Sequence, residues 1–210
     1  MPPPDADSSQ TRGLLDEVRA GRTAALDQLL ARHRSYLRQM VALRIDPQLR
    51  ARVDPSDVVQ EAQLEAARRL EGYLQKPELP FRLWLRQITY DRLLMLRRRH
   101  VEAARRSVQR DVALPDGSSL ALGQQLLAAG STPSERLSRR ELARRVRQAM
   151  ARLAEADRDI LLLRNFEGLS NQEVAQLLGI TLTGASQRYG RALLRLRNFL
   201  IDGGFSEARL

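Results

Sequence analysis

The chain has no cysteine and only two histidines. That excludes disulfides, thiol catalysis and the common Cys-based zinc sites. His33 and His100 lie far apart in the sequence, so a His-based metal site is not expected either. Aromatic residues make up 4 % of the chain against 43 % hydrophobic residues overall. The core must therefore be built from Leu, Val and Ala, which suits packed helices. Nowhere do eighteen apolar residues run together, so no membrane span is expected. The first ten residues, MPPPDADSSQ, have no apolar stretch and do not read as a signal peptide. These absences predict a soluble, cytoplasmic protein. Lysine is nearly missing too. Lys76 is the single example, so almost all the basicity is arginine, as a GC-rich coding bias would also produce. Net charge is +10 with a pI near 11.2, which points to an anionic partner such as nucleic acid.

Helical periodicity dominates what is present. Residues 1–11 read as a disordered tail. From Leu14 to about Ile45 an apolar stripe of Leu26, Leu29, Leu30, Tyr36, Leu37, Met40 and Val41 recurs at helical spacing, broken near Gly21. The break restarts at Thr23, read as an N-cap. Asp54 followed by Pro55 is a strong helix start, and that helix is expected to run to about Leu70. EGYLQKPELP carries Gly72, Pro77 and Pro80 and reads as a loop. PFRLWLRQITYDRLLMLRRRH begins another helix behind a proline. Residues 107–133 hold prolines, glycines and small polar residues and read as a linker, with a short helix around Ala121 to Ala128. Periodicity returns from Ser134. The expected architecture is all-α, with helical domains over 12–106 and 134–203 joined by that linker and followed by a tail over 204–210.

The stretch SNQEVAQLLGIT, residues 170–181, has the grammar of a helix-turn-helix. Ser170 and Glu173 form a capping box, in which the serine caps the backbone and the glutamate reaches back. Gly179 fits the left-handed position that ends a helix, and Thr181 can cap the next one. In that second helix Ala185, Tyr189, Ala192, Leu193 and Leu196 share one face. Thr183, Gly184, Ser186, Gln187, Arg188, Arg191 and Arg195 lie outside it and offer groups that pair with base edges and phosphates. Solvated faces usually mix signs, yet no acid occurs from 182 to 200. DNA recognition is the expected role of this helix, with Arg188 reading a base edge and Arg195 meeting phosphate.

Two segments of the first domain must fit the same account. In DPSDVVQEAQLEAARRL, Val58, Val59, Ala62, Ala66 and Leu70 line a buried stripe, leaving Asp57, Gln60 and Glu61 clustered outside. An acidic patch on a basic protein repels DNA, so it should face a basic protein surface. In the following helix Phe81, Trp84, Leu85 and Ile88 form the core stripe. Arg82, Arg86, Tyr90, Arg97 and Arg98 lie outside it. Tyr73 and Lys76, in the preceding loop, are placed to meet an unstacked base and its backbone. No carboxylate cluster, His-containing triad or Gly-rich phosphate loop occurs at usable spacing, so no catalytic residue, metal or cofactor is expected.

Taken in order, these segments resemble the bacterial RNA polymerase sigma factors of the extracytoplasmic-function class, over about residues 12–203. DPSDVVQEAQLEAARRL is similar to that family's region 2.2, which binds the clamp coiled coil of the polymerase. FRLWLRQITYDRLLMLRRRH is similar to regions 2.3 and 2.4, which open and read the minus-10 element. DRDILLLRNFEGLSNQEVAQLLGITLTGASQRYGRALLRLR is similar to region 4, which reads the minus-35 element. The resemblance implies a transcription initiation factor and not an enzyme. Its partners would be core RNA polymerase, through clamp and flap, and promoter DNA, with an anti-sigma factor as a further candidate. Asp91, Met95, Gly184 and Ser186 depart from residues common in the family, which bears on promoter sequence. The rival reading is a freestanding helix-turn-helix regulator that binds operators as a dimer; it leaves the first domain without a task.

Overall fold

A computed structural model describes residues 9–45, 47–50, 52–103, 114–128 and 139–202. Among these residues the regular structure is helical throughout, and they divide into two compact units near residue 108. None of the described helices is long and apolar enough to cross a membrane. Residues 9–11 of the expected N-terminal tail are helical, the start of a helix that buries Thr11; residues 1–8, 204–210 and the remaining linker residues lie outside the described residues.

The first unit holds α1 (Ser9–Arg19), α2 (Thr23–Arg44), the single turn α3 (Pro47–Arg50), α4 (Pro55–Gln75) and α5 (Phe81–Ala103). Helix α2 packs on α1, α4 and α5, and α4 packs along α5. Their shared core is mostly aliphatic, with Leu29, Leu37, Met40, Val59, Ala62 and Leu85 fully buried, but few as the aromatics are, Tyr73, Phe81 and Trp84 cluster within it. Thr23 is the first helical residue and not the cap. Arg22 occupies the cap position, with no side-chain hydrogen bond. Asp54 does cap α4, accepting from the Ser56 backbone N–H at 2.7 Å, a contribution of about 1 kcal/mol. Polar links fix the helices against one another. Gln63 donates to the Leu30 carbonyl at 2.9 Å, and Glu65 accepts from Arg69 at 2.7 Å and from Arg92 of α5 at 3.0 Å. The Arg69 hydrogen bond, helped by Arg92, holds the Glu65 carboxyl below the usual range.

The second unit holds α6 (Asp116–Ala128), α7 (Arg139–Arg152), α8 (Glu155–Leu161), α9 (Asn171–Leu178) and α10 (Leu182–Asp202). Helix α6 is longer than expected and belongs to this unit's core: Leu122 and Leu126 are buried and α6 lies along α7. Gly123 permits that approach, because a Cβ there would stand 2.9 Å from Val146 Cγ2. Helix α8 runs into a π-helical turn, Leu162–Phe166, so Ile160, Leu161, Leu162 and Leu163 are buried in succession. Arg158 ties α8 back to α7, donating to the carbonyls of Met150, Ala151 and Leu153 at 2.8–3.0 Å.

Candidate nucleic-acid interface

Helices α9 and α10 form the expected helix-turn-helix. Ser170 Oγ accepts from the Glu173 backbone N–H at 3.2 Å while Glu173 Oε2 accepts from the Ser170 N–H at 2.7 Å. Gly179 takes φ of 63°, a left-handed conformation that costs a side-chain-bearing residue about 1–2 kcal/mol. Thr181 Oγ1 then accepts from the Gly184 N–H at 3.0 Å and starts α10. The angle between the two helices is set by Asn171, which donates to the Leu182 carbonyl at 3.0 Å and to Ser186 Oγ at 2.7 Å. Tyr189 anchors the middle of α10: its hydroxyl donates to Asn165 Oδ1 at 3.0 Å, and the Arg164 guanidinium lies 5.3 Å from its ring.

With Ala185, Ala192, Leu196 and Leu200 buried, α10 leaves Thr183, Ser186, Gln187 and Arg191 exposed, with Gly184 and Arg188 half-buried at the border. Two expected contacts sit differently from the sequence reading. Arg195 pairs with the buried carboxylate of Asp157 in α8, so its guanidinium has a structural partner within the unit, while the side chain stays 59 % exposed. The Ser186 hydroxyl is engaged by Asn171 and works first as a strut. Asn165, Asn171 and Asp157 were not singled out from the sequence. Asn171 is adjacent to the cap and acts on the next turn, but Asp157 stands 38 positions from its partner and no local pattern links them.

In the first unit Asp57, Gln60 and Glu61 are exposed together on α4, as their spacing requires. Leu64, one turn on, joins them at 58 % exposure, so this face combines carboxylates, an amide and an aliphatic side chain. The expected base-contacting set is divided. Tyr73 is not in a loop: α4 continues to Gln75, and Tyr73 is buried in its last turn. Its ring stacks on Trp84 with centroids 4.5 Å apart, and its hydroxyl donates to the Leu79 carbonyl at 3.1 Å. In this conformation the ring does not face an incoming base. Lys76 is in the loop, 3.1 Å from Glu78. Arg82 and Arg86 are buried despite lying off the apolar stripe. Arg82 stacks its guanidinium 4.3 Å from the Tyr36 ring, and Arg86 lies 5.6 Å from the ring of Tyr90, with Arg44 of α2 on the same ring at 5.2 Å. Long arginine stems suit such sites because they cover apolar surface while the planar head stacks. Tyr90 and Arg97 are half-buried and Arg98 is exposed. Among the described residues no group of His, Asp or Glu is arranged to hold a metal ion.

An arginine-bearing second helix of a helix-turn-helix, with no carboxylate from 182 to 200, defines a DNA-binding protein. Comparison with known proteins narrows that class. The family model described as Sigma-70, region 4 matches residues 143–196. The RNA polymerase sigma factor CnrH of Cupriavidus metallidurans is 28 % identical over 200 residues, covering 95 % of this chain and 97 % of that protein. The ECF RNA polymerase sigma-E factor of Haemophilus influenzae is 25 % identical over 194 residues, covering 92 % and 96 %. The solved structure of CnrH in complex with the cytosolic domain of CnrY superposes with a TM-score of 0.56, covering 95 % of this chain and 99 % of that one. The sigma factor RpoE from Bartonella quintana, solved with the anti-sigma factor NepR, shares the fold at 18 % identity and a TM-score of 0.50. Over nearly its whole length the chain is thus similar to RNA polymerase sigma factors of the extracytoplasmic-function class, and residues 143–196 carry their region 4.

Proposed function

We propose that this sigma factor docks on core RNA polymerase through the exposed face of α4 and selects promoters through α10. The observation that carries the reading is the division of charge between the two helices. Asp57, Gln60 and Glu61 face outward on α4, a poor surface for DNA and a good one for a basic protein surface such as the polymerase clamp. Thr183, Gln187, Arg188 and Arg191 stand on α10, which suits the major groove of the minus-35 element. Tyr90, Arg97 and Arg98, with Lys76 in the loop before α5, form the basic and aromatic surface assigned to the minus-10 element. Arg82, Arg86 and Tyr73 support that surface from beneath. The chain carries out no chemistry of its own and works in the cytoplasm, where the polymerase synthesises the phosphodiester bond. A cytosolic anti-sigma protein is the regulator its relatives suggest.

The test is reconstitution. Purified protein added to core RNA polymerase should produce initiation at defined starts on a small set of genomic fragments. Initiation no different from core polymerase alone overturns the reading.

A further inference from the structure

Gly190 stands in the interior of α10, half-buried at the edge of the exposed face, where no contact within the protein asks for glycine. No left-handed backbone requires it, and a Cβ built there would meet no atom within 4 Å. Glycine is a poorer helix residue than alanine at such a site, because it loses more backbone freedom on folding. The surrounding residues show what could gain from its presence. Gln187 lies one turn before, Leu194 one turn after and Arg191 beside it, all exposed. A bare patch of helix backbone is thus ringed by an amide, a guanidinium and an apolar side chain. An α-helix with its side chains is about 10–12 Å across and the major groove about 12 Å wide, so one missing side chain decides how near the groove wall can come.

We propose that Gly190 is the close-approach point of α10 on duplex DNA, where the sugar–phosphate wall of the groove passes directly over the helix backbone. Its bareness sets the depth at which Gln187 and Arg191 reach the base edges. This inference rests on the reading of α10 as the promoter-reading helix.

The proposal sets two measurements in opposition. Gly190→Ala should raise the thermal midpoint of the full chain's second unit by roughly 4–8 °C. The same substitution should weaken binding of the reconstituted holoenzyme about tenfold, on a duplex that wild-type holoenzyme recovers from a randomised pool. Gly190→Gln, also a good helix former, should weaken it about a hundredfold. Gly13→Ala in α1, where a Cβ likewise meets nothing within 4 Å, is the control and should leave duplex binding unchanged. If both Gly190 variants bind as wild type while Arg191→Ala binds poorly, the close-approach assignment is overturned and α10 keeps its role. If Arg191→Ala and Gln187→Ala also bind as wild type, the reading of α10 itself fails and takes the inference with it.

Discussion

His33 is held neutral by its surroundings. It is buried in α2 with its ring 5.6 Å from that of Phe81, and neither ring nitrogen meets a hydrogen-bond partner. Burial, reinforced by the nearby cations of Arg32 and Arg82, lowers its pKa from 6.5 to about 4. The unfolded chain therefore takes up a proton near pH 6.5, which the folded chain refuses until about pH 4. The stability linked to this group is fully present above pH 6.5 and is lost as pH falls through that window, by about 3 kcal/mol at pH 4. Urea unfolding of wild type and His33→Leu across pH 4–7 should show a slope in the first that is flattened in the second. Arg195 makes the opposite kind of contribution, a cation retained for a buried partner. Removing it strands Asp157 in α8. Arg195→Ala should cost about 1–3 kcal/mol of stability in the second unit, whereas Arg191→Ala should cost little. Equal midpoints for the two variants in thermal unfolding would contradict the structural role of Arg195.

At the scale of elements, local chemistry was readable and distant pairing was not. Ser170, Glu173, Gly179 and Thr181 specify the ends of α9 and the start of α10 through contacts within four residues, so their pattern is complete in the sequence. Gly179→Ala should accordingly destabilise the unit by about 1–2 kcal/mol, measurable as a lowered midpoint, because alanine resists the left-handed conformation there. The end of α4 misled for a physical reason. Gly72 and Pro77 read as a loop, but packing of Tyr73 against Phe81 and Trp84 carries the helix to Gln75 and overrides propensity. Only the second half of α6, Ala121–Ala128, was legible in its glycine-rich stretch, because Gly123 serves close packing and the period of the segment gives no sign of α7. Burial of Arg82 and Arg86 depends on Tyr36 and Tyr90. An arginine off the apolar stripe looks the same in sequence whether it meets DNA or an aromatic ring.

Over the whole molecule, two separately cored units carry surfaces of different character. The face of α4 holds Asp57, Gln60, Glu61 and the exposed Leu64, and none of these supports the core of its own unit. A charge reversal there should therefore leave folding alone and strike association. Glu61→Arg should weaken binding to core RNA polymerase by about 2 kcal/mol, or roughly thirtyfold, with an unchanged thermal midpoint. Co-purification with core polymerase at wild-type yield would remove this face from the docking role.

The π-helical turn after α8 makes the second unit sensitive to length in a way that side-chain chemistry does not reveal. Within 162–166 the chain carries one residue more per turn than an α-helix would, and that surplus lets four consecutive apolar residues be buried. Substitution there changes volume; deletion of one codon changes phase. It would draw the turn back to an ordinary helix and rotate Phe166, and with it the path into α9, by about 100° relative to Ile160. The reading frame of the gene would survive such a deletion, but the angular frame that aims α10 would not.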